Sequence, residues 1–252
     1  MIWSFTRGSR REAITYVDAV PSRCGELLEA READFALVPV IEYQRLEGVK
    51  LIPGVCVASR EKVRSVVLVS RYGNLKKIRS VGLDESSRTS ASLVKIIFKE
   101  FLGTEPEWTT SVPNLEQMLR ANDAALIIGD PAMTFHRKGL NVWDLATLWH
   151  EFTGRGFVFA MWMAAHEPAA AAAPDFAAAK DEGVNAIEDI IGVYQTQLGL
   201  PAQDVQDYLT NNVTFELDND LESGMQLYFE LAALHGLIDQ AKPLELFDRS
   251  GS

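Results

Sequence analysis

The sequence predicts an α/β protein, and three observations predict it. Short apolar runs typical of buried strands alternate with stretches whose apolar residues recur at helical spacing. One stretch, residues 80–94, passes from the first pattern to the second without a break. The chain has 252 residues, 47% of them hydrophobic, enough to bury one large core or two of ordinary size.

Taken in order, residues 13–20 (Ala-Ile-Thr-Tyr-Val-Asp-Ala-Val) read as a strand. Pro21 then opens a helix through Cys24, Leu27 and Leu28 to about residue 33. Residues 34–39 form a second strand, its unbroken apolar run suited to a buried parallel sheet. A short helix at 41–46 and a strand at 51–58 follow, and such alternation implies right-handed parallel crossovers. Residues 65–70 (Ser-Val-Val-Leu-Val-Ser) are the next strand.

After a helix at 89–102 come a short strand at 108–111, a helix at 113–121 and a strongly buried strand at 124–128. That strand ends in Gly129-Asp130-Pro131, where Asp130 is expected to cap a helix with proline at its first position. Gly129 lets a ligand approach the backbone closely. Residues 145–152 are an amphipathic helix ending before Gly154, and 157–162 a long apolar strand. An alanine-rich surface loop at 168–174 precedes helices at 175–198, 202–210 and 218–236. The tail after Lys242 is expected to fray.

The formal charge of −11 argues against general nucleic-acid or anionic-membrane binding. No apolar run is long enough to span a bilayer. Arg7, Arg10 and Arg11 make the N-terminus basic within about ten residues, too soon for a secretory signal. Cys24 and Cys56 form no CxxC pair and read as buried reduced thiols, so a soluble cytoplasmic protein is expected. The four histidines are scattered, and His150-Glu151 lacks the second histidine of a zinc-binding HExxH helix. There is no GxGxxG, P-loop or GxSxG motif, so neither metal nor cofactor is expected.

The organising stretch is the strand-to-helix passage. An apolar run at 81–83 stops at Asp84, and Ser86, Ser87, Thr89 and Ser90 cluster after it. From Ala91 on, Leu93, Ile96, Ile97 and Phe101 share one side of a helix. The first turn of such a helix offers backbone N–H groups and partial positive charge to an anion. Arg88 adds a guanidinium fork suited to a carboxylate or phosphate. The alternative is that Ser86 or Ser87 merely caps the helix.

Several passages together resemble one family. They are Val20-Pro-Ser-Arg23, Ala36-Leu-Val-Pro39 with Ile41-Glu-Tyr43, Val63-Arg-Ser-Val-Val-Leu-Val-Ser70 and Ser86-Ser-Arg-Thr-Ser90. Leu126-Ile-Ile-Gly-Asp130, Trp149-His-Glu-Phe-Thr-Gly154 and Phe157-Val-Phe-Ala-Met-Trp162 continue the series. In order and spacing they resemble the chorismate dehydratases of the futalosine route to menaquinone.

The resemblance implies an α/β fold like the type II periplasmic binding proteins: two lobes with a ligand cleft between them, and a helical C-terminal part. Lobe one would hold residues 1–67 plus 160–252, and lobe two residues 68–159. The implied reaction removes water from chorismate to give 3-[(1-carboxyvinyl)oxy]benzoate, a carbon–oxygen lyase step without metal or redox cofactor. The implied partner is chorismate, a small anionic substrate, with a homodimer as a candidate assembly. The family's catalytic serine maps onto Ser65, and Ser86, Ser87, Arg88, Thr89, Ser90, Gly129 and Asp130 would bind substrate.

The chain also departs from the family. The family begins with a strand ending in Asn-x-x-Pro-Leu, and Met1-Ile-Trp-Ser-Phe5 aligns only with the end of it. An upstream reading frame of about twenty further residues is therefore expected. Val40 stands where the family has a small hydroxyl residue, and Gly156 where it has proline. Two alternatives stand beside the main reading. One is a cytoplasmic small-anion binding protein or inactive relative. The other is the related 1,4-dihydroxy-6-naphthoate synthase, although no histidine falls where that enzyme's base is expected.

Overall fold

The computed structural model describes residues 1–165 and 173–248. Most of the expected loop at 168–174 lies outside the described residues. In chain order the elements begin with α1 (Trp3–Thr6), α2 (Pro21–Glu29), β1 (Phe35–Pro39), α3 (Glu42–Arg45), β2 (Lys50–Ser59) and β3 (Val66–Ser70). Next come β4 (Ser80–Asp84), α4 (Arg88–Ile96), β5 (Glu107–Ser111), α5 (Leu115–Ala121), β6 (Ala124–Ile128) and α6 (Asp130–Thr134). After these run β7 (Asn141–Asp144), α7 (Leu145–Thr153) and β8 (Phe157–Ala164). The last are α8 (Phe176–Asn185), α9 (Ile187–Leu198), α10 (Ala202–Asp207) and α11 (Asn219–Leu234).

The chain divides into two compact units. The first comprises Met1–Ala58, Phe159–Asp218 and Lys242–Ser252, and the second Ser59–Val158 and Asn219–Ala241. The units differ from the lobes expected from sequence: residues 59–67 and α11 fall in the second unit. The local reason is a close crossing of backbones. A Cβ on Gly224 would meet the Gly156 carbonyl at 2.2 Å, and one on Gly156 would meet Leu221 at 2.6 Å. Glycine at 156 admits the helix. Asp220 then accepts the Gly156 N–H at 3.1 Å, and Trp149 Nε1 donates to the Gly156 carbonyl at 3.1 Å.

In the first unit a three-stranded sheet has the order β1-β8-β2. β1 runs antiparallel to β8, with Leu37 opposite Trp162, where the apolar run had suggested a parallel neighbour. An all-apolar strand reports burial on both faces, not direction. Phe5, Trp162 and Phe176 pack edge-on or tilted over one face, joined by Phe35 and Phe247. Residues 13–20, expected as a strand, are not part of any ladder among the described residues. Their β-branched composition favours a strand, but a strand needs a partner. Cys24 is half-buried and Cys56 buried, and neither is in a disulfide among the described residues.

The tail does not fray where it is described. Leu51 donates to the Glu245 carbonyl at 2.9 Å and accepts from Phe247 at 2.8 Å, a parallel bridge to β2. Tyr43 Oη donates to the Pro243 carbonyl at 2.6 Å and accepts from the Glu245 N–H at 2.8 Å. Lys242 Nζ reaches the Leu46 carbonyl at 2.6 Å, above the Tyr43 ring.

Polar contacts fasten the N-terminal turn to α8. The Glu182 carboxylate accepts from Ser4 Oγ at 2.6 Å, from Ser9 N at 2.5 Å and Ser9 Oγ at 2.7 Å, and from Arg10 at 2.6 Å. These hydrogen bonds, led by that of Ser4, hold its carboxyl down at about 2. A depressed folded-state value stabilises the fold above the ordinary glutamate range and loses that stabilisation as pH falls toward 2. Glu182→Gln is therefore expected to lower Tm at pH 7, with the difference shrinking as pH falls from about 4.5 toward 2. Thermal melts of both proteins across that range check it; a pH-independent difference would contradict the assignment.

The second unit holds a five-stranded sheet of order β5-β4-β6-β3-β7. β4 is parallel to β5 and β6, while β3 is antiparallel to both β6 and β7. α4 passes at its C-terminus into a π turn (Ile97–Phe101). Trp149, Phe157 and Tyr228 form an edge-to-face cluster in this unit. No helix among the described residues is long and apolar enough to cross a membrane.

Candidate functional site

Sheet topology gathers the expected site residues on one edge of the second unit. β4, β5 and β6 are parallel, so their C-terminal ends, Asp84, Ser111 and Ile128, lie on the same edge. β3 is antiparallel to β6, which places its start there too: Val66 pairs with Ile128, and the Ser65 carbonyl accepts the Gly129 N–H at 2.7 Å. β7 ends there as well, with Asp144 opposite Val67. Ser65, residues 84–90, Ser111, Gly129 and Asp144 thus share the edge at which open α/β sheets bind ligands.

Asp84 is buried and shapes the turn after β4. Its Oδ1 accepts from the Ser86 N–H at 2.9 Å and from Ser86 Oγ at 2.6 Å, and its carbonyl accepts from Ser87 N at 3.1 Å. This Asx-type turn commits the Ser86 hydroxyl to Asp84. Ser87 occupies the N-cap position of α4, but its side chain makes no capping bond. The capping alternative therefore fails for both serines. Ser87, Thr89 and Ser90 are buried, and Arg88 is half-buried. Tyr228 Oη of α11 donates to the Thr89 carbonyl at 3.0 Å and pins the first turn.

Gly129 has φ 66° and ψ −145°, a conformation essentially restricted to glycine. A Cβ there would touch nothing within 4 Å, so backbone torsion, not crowding, demands glycine. Gly129→Ala is expected to destabilise the protein by about 1–3 kcal/mol through strain alone. Chemical denaturation checks it, and an unchanged midpoint would refute it. Asp130 is not the cap expected from sequence. Gly129 takes the N-cap position, and Asp130 is the exposed first residue of α6.

Comparison with known proteins fits this geometry. A sequence model of the family described as menaquinone biosynthesis matches residues 1–234. The chain belongs to the menaquinone biosynthesis family. It is 29% identical over 245 residues to the chorismate dehydratase of Thermus thermophilus, covering 89% of each chain. Among solved structures it resembles protein AF1704 from Archaeoglobus fulgidus, with TM-score 0.68 and 15% identity over 88% of this chain and 86% of that one. It also resembles the periplasmic aliphatic sulphonate binding protein SsuA from Escherichia coli. There the TM-score is 0.57 at 15% identity, covering 92% of this chain and 82% of that one. The fold is that of the periplasmic binding proteins.

Two residues of this family member's edge escaped the sequence reading. Asp144 Oδ1 caps α7, accepting from Ala146 N at 3.0 Å and Thr147 N at 3.1 Å. The same carboxylate accepts from Val63 N at 3.2 Å and Arg64 N at 2.6 Å, and so fixes the turn that delivers Ser65. Arg64 in that turn has φ 64°, rare for a residue with a side chain. An aspartate just before an apolar helical run was a readable cap signal; its second task was not. Ser111 Oγ is buried and lacks a partner among the described residues. Its backbone carbonyl accepts the Glu85 N–H at 3.2 Å, which sets it beside the turn. Val40 lies in the first unit, fully buried, its N–H donated to the Phe159 carbonyl.

Proposed function

We propose that this chain is a chorismate dehydratase, a carbon–oxygen lyase acting on chorismate. Family membership and the chorismate dehydratases among its relatives support the reading. The observation that carries it is the convergence of Ser65, the turn at 84–90 and Gly129 on one ligand-binding sheet edge. In the reaction one ring hydrogen and the ring hydroxyl of chorismate leave as water, and the ring becomes aromatic. No electron is gained or lost, so the chemistry asks for orientation and proton transfer.

The start of α4 and Arg88 bind one substrate carboxylate through the helix dipole and the guanidinium fork. Ser86, Ser87, Thr89 and Ser90 line that cradle. Gly129 admits the ligand close to the backbone, with Asp130 beside it. Ser65 orients the leaving hydroxyl or relays its proton; its own hydroxyl is too weakly acidic to serve as a base unaided.

Titrating chorismate into labelled protein tests the placement. The amides of residues 86–90 and 129 are expected to shift, and Tm to rise with chorismate concentration. Shifts confined to other residues would reject this site. Binding without turnover would support the reading as an anion-binding relative.

A further inference from the structure

A cluster of positive charge lies at the sheet edge of the second unit opposite the candidate site. β4, β5 and β6 are parallel and begin at that edge, with Ser80, Glu107 and Ala124. β3 runs the other way and ends there, Ser70 standing opposite both Ala124 and Asn141. Two loops therefore meet at the edge, residues 71–79 after β3 and residues 135–140 before β7. Asn141 Nδ2 donates to the Arg71 carbonyl at 3.4 Å, and a Cβ on Gly73 would lie 3.5 Å from Asn141 Oδ1.

The first loop exposes Lys76, Lys77 and Arg79, and the second Arg137 and Lys138. None of these five cations is in an ion pair among the described residues. Asp123, at the same edge, spends Oδ2 on the Arg79 N–H at 2.8 Å. Ile78 is fully buried and holds the first loop down, while Asn74 Oδ1 accepts the Lys76 N–H at 2.9 Å. The lysines thus sit on an ordered turn. Tyr72 of the same loop is 44% exposed. The chain has 35 acidic residues against 24 basic ones, so carboxylates to neutralise the cluster are not scarce, yet none is placed there.

We propose that this edge is an interaction surface for a short acidic segment of a partner protein. Screening over about 8 Å at physiological salt lets the edge act as a positive surface despite the net charge of −11. The arginine forks suit carboxylates, the lysines add charge, and the exposed Tyr72 ring offers the aromatic contact on which protein interfaces draw. A nucleic-acid duplex fits less well, because its charge would run past the two loops and meet the acidic remainder of the chain. A bilayer asks for apolar insertion beside the basic charge, and these loops offer it little beyond Tyr72. The surface stands on its own charge and geometry and does not rest on the reaction assigned to the opposite edge.

The test is fluorescence anisotropy of a labelled, amidated peptide, Glu-Glu-Asp-Tyr-Glu-Asp-Glu-Glu, titrated with the full chain. Binding is expected, with amide shifts in residues 71–79 and 135–141 of the unaltered protein. Joint Lys76→Glu, Lys77→Glu and Arg79→Glu should weaken it at least about tenfold. Joint Arg11→Glu, Arg31→Glu and Lys62→Glu, the same change of charge at exposed residues elsewhere, should cost less than about threefold. No binding, shifts confined to other residues, or equal losses from the two variants would overturn the proposal. So would peptide that fails to bind while vesicles of equal parts phosphatidylcholine and phosphatidylserine do, since the edge would then serve a membrane.

Discussion

Ser65→Ala is expected to lower turnover of chorismate by about two orders of magnitude, the scale of a lost acid–base or orienting group. Binding and folding should change little. The backbone of residue 65, not its hydroxyl, makes the bonds that join β3 to Gly129 and close the turn from Val63. Alanine keeps both. Measuring kcat, the chorismate dissociation constant and the denaturation midpoint separates the possibilities. Turnover within a factor of about two of the parent would remove the hydroxyl from the mechanism.

Arg88→Ala is expected to weaken chorismate binding by about 1.5–3 kcal/mol, roughly 10- to 150-fold in the dissociation constant. The fold should survive. α4 is held by Leu93, Val94 and Ile96, all fully buried, and by the Tyr228 bond to the Thr89 carbonyl. Arg88→Lys should recover only part of the loss, because an ammonium lacks the planar fork. Calorimetry checks both substitutions. An unchanged dissociation constant in a folded Arg88→Ala protein would leave the helix start without its proposed cation.

Much of this architecture was legible in the chain. Wholly apolar runs at 66–69, 124–128 and 157–162 became central strands, because burial on both faces leaves only that pattern. The passage from Asp84 to Leu93 was legible as a strand end and helix start, because a buried strand giving way to hydroxyl residues and then a helix has a recognisable composition. Strand direction was not legible. β1 read as a member of a parallel sheet and proved antiparallel to its neighbour. β7 was missed because Asn141–Asp144 is a half-buried edge strand with no apolar run.

The docking of the tail was hidden for a related reason. It rests on backbone bonds to Leu51 and on the Tyr43 hydroxyl, and such bonds leave no periodicity in sequence. The opposite error concerned residues 13–20, whose side chains are those of a strand but which have no ladder among the described residues. In the site, Ser65 was placed through family resemblance, and only topology set it beside Gly129. The second task of Asp144, receiving the backbone of residues 63 and 64, is a contact across about eighty residues that local sequence cannot announce.

The central claim is that this chain dehydrates chorismate, and product formation tests it most directly. Purified protein incubated with chorismate should consume it and yield 3-[(1-carboxyvinyl)oxy]benzoate, identified by chromatography and mass, faster than a protein-free control and more slowly with Ser65→Ala. Chorismate that disappears no faster than in the control, despite a folded protein, would contradict the account.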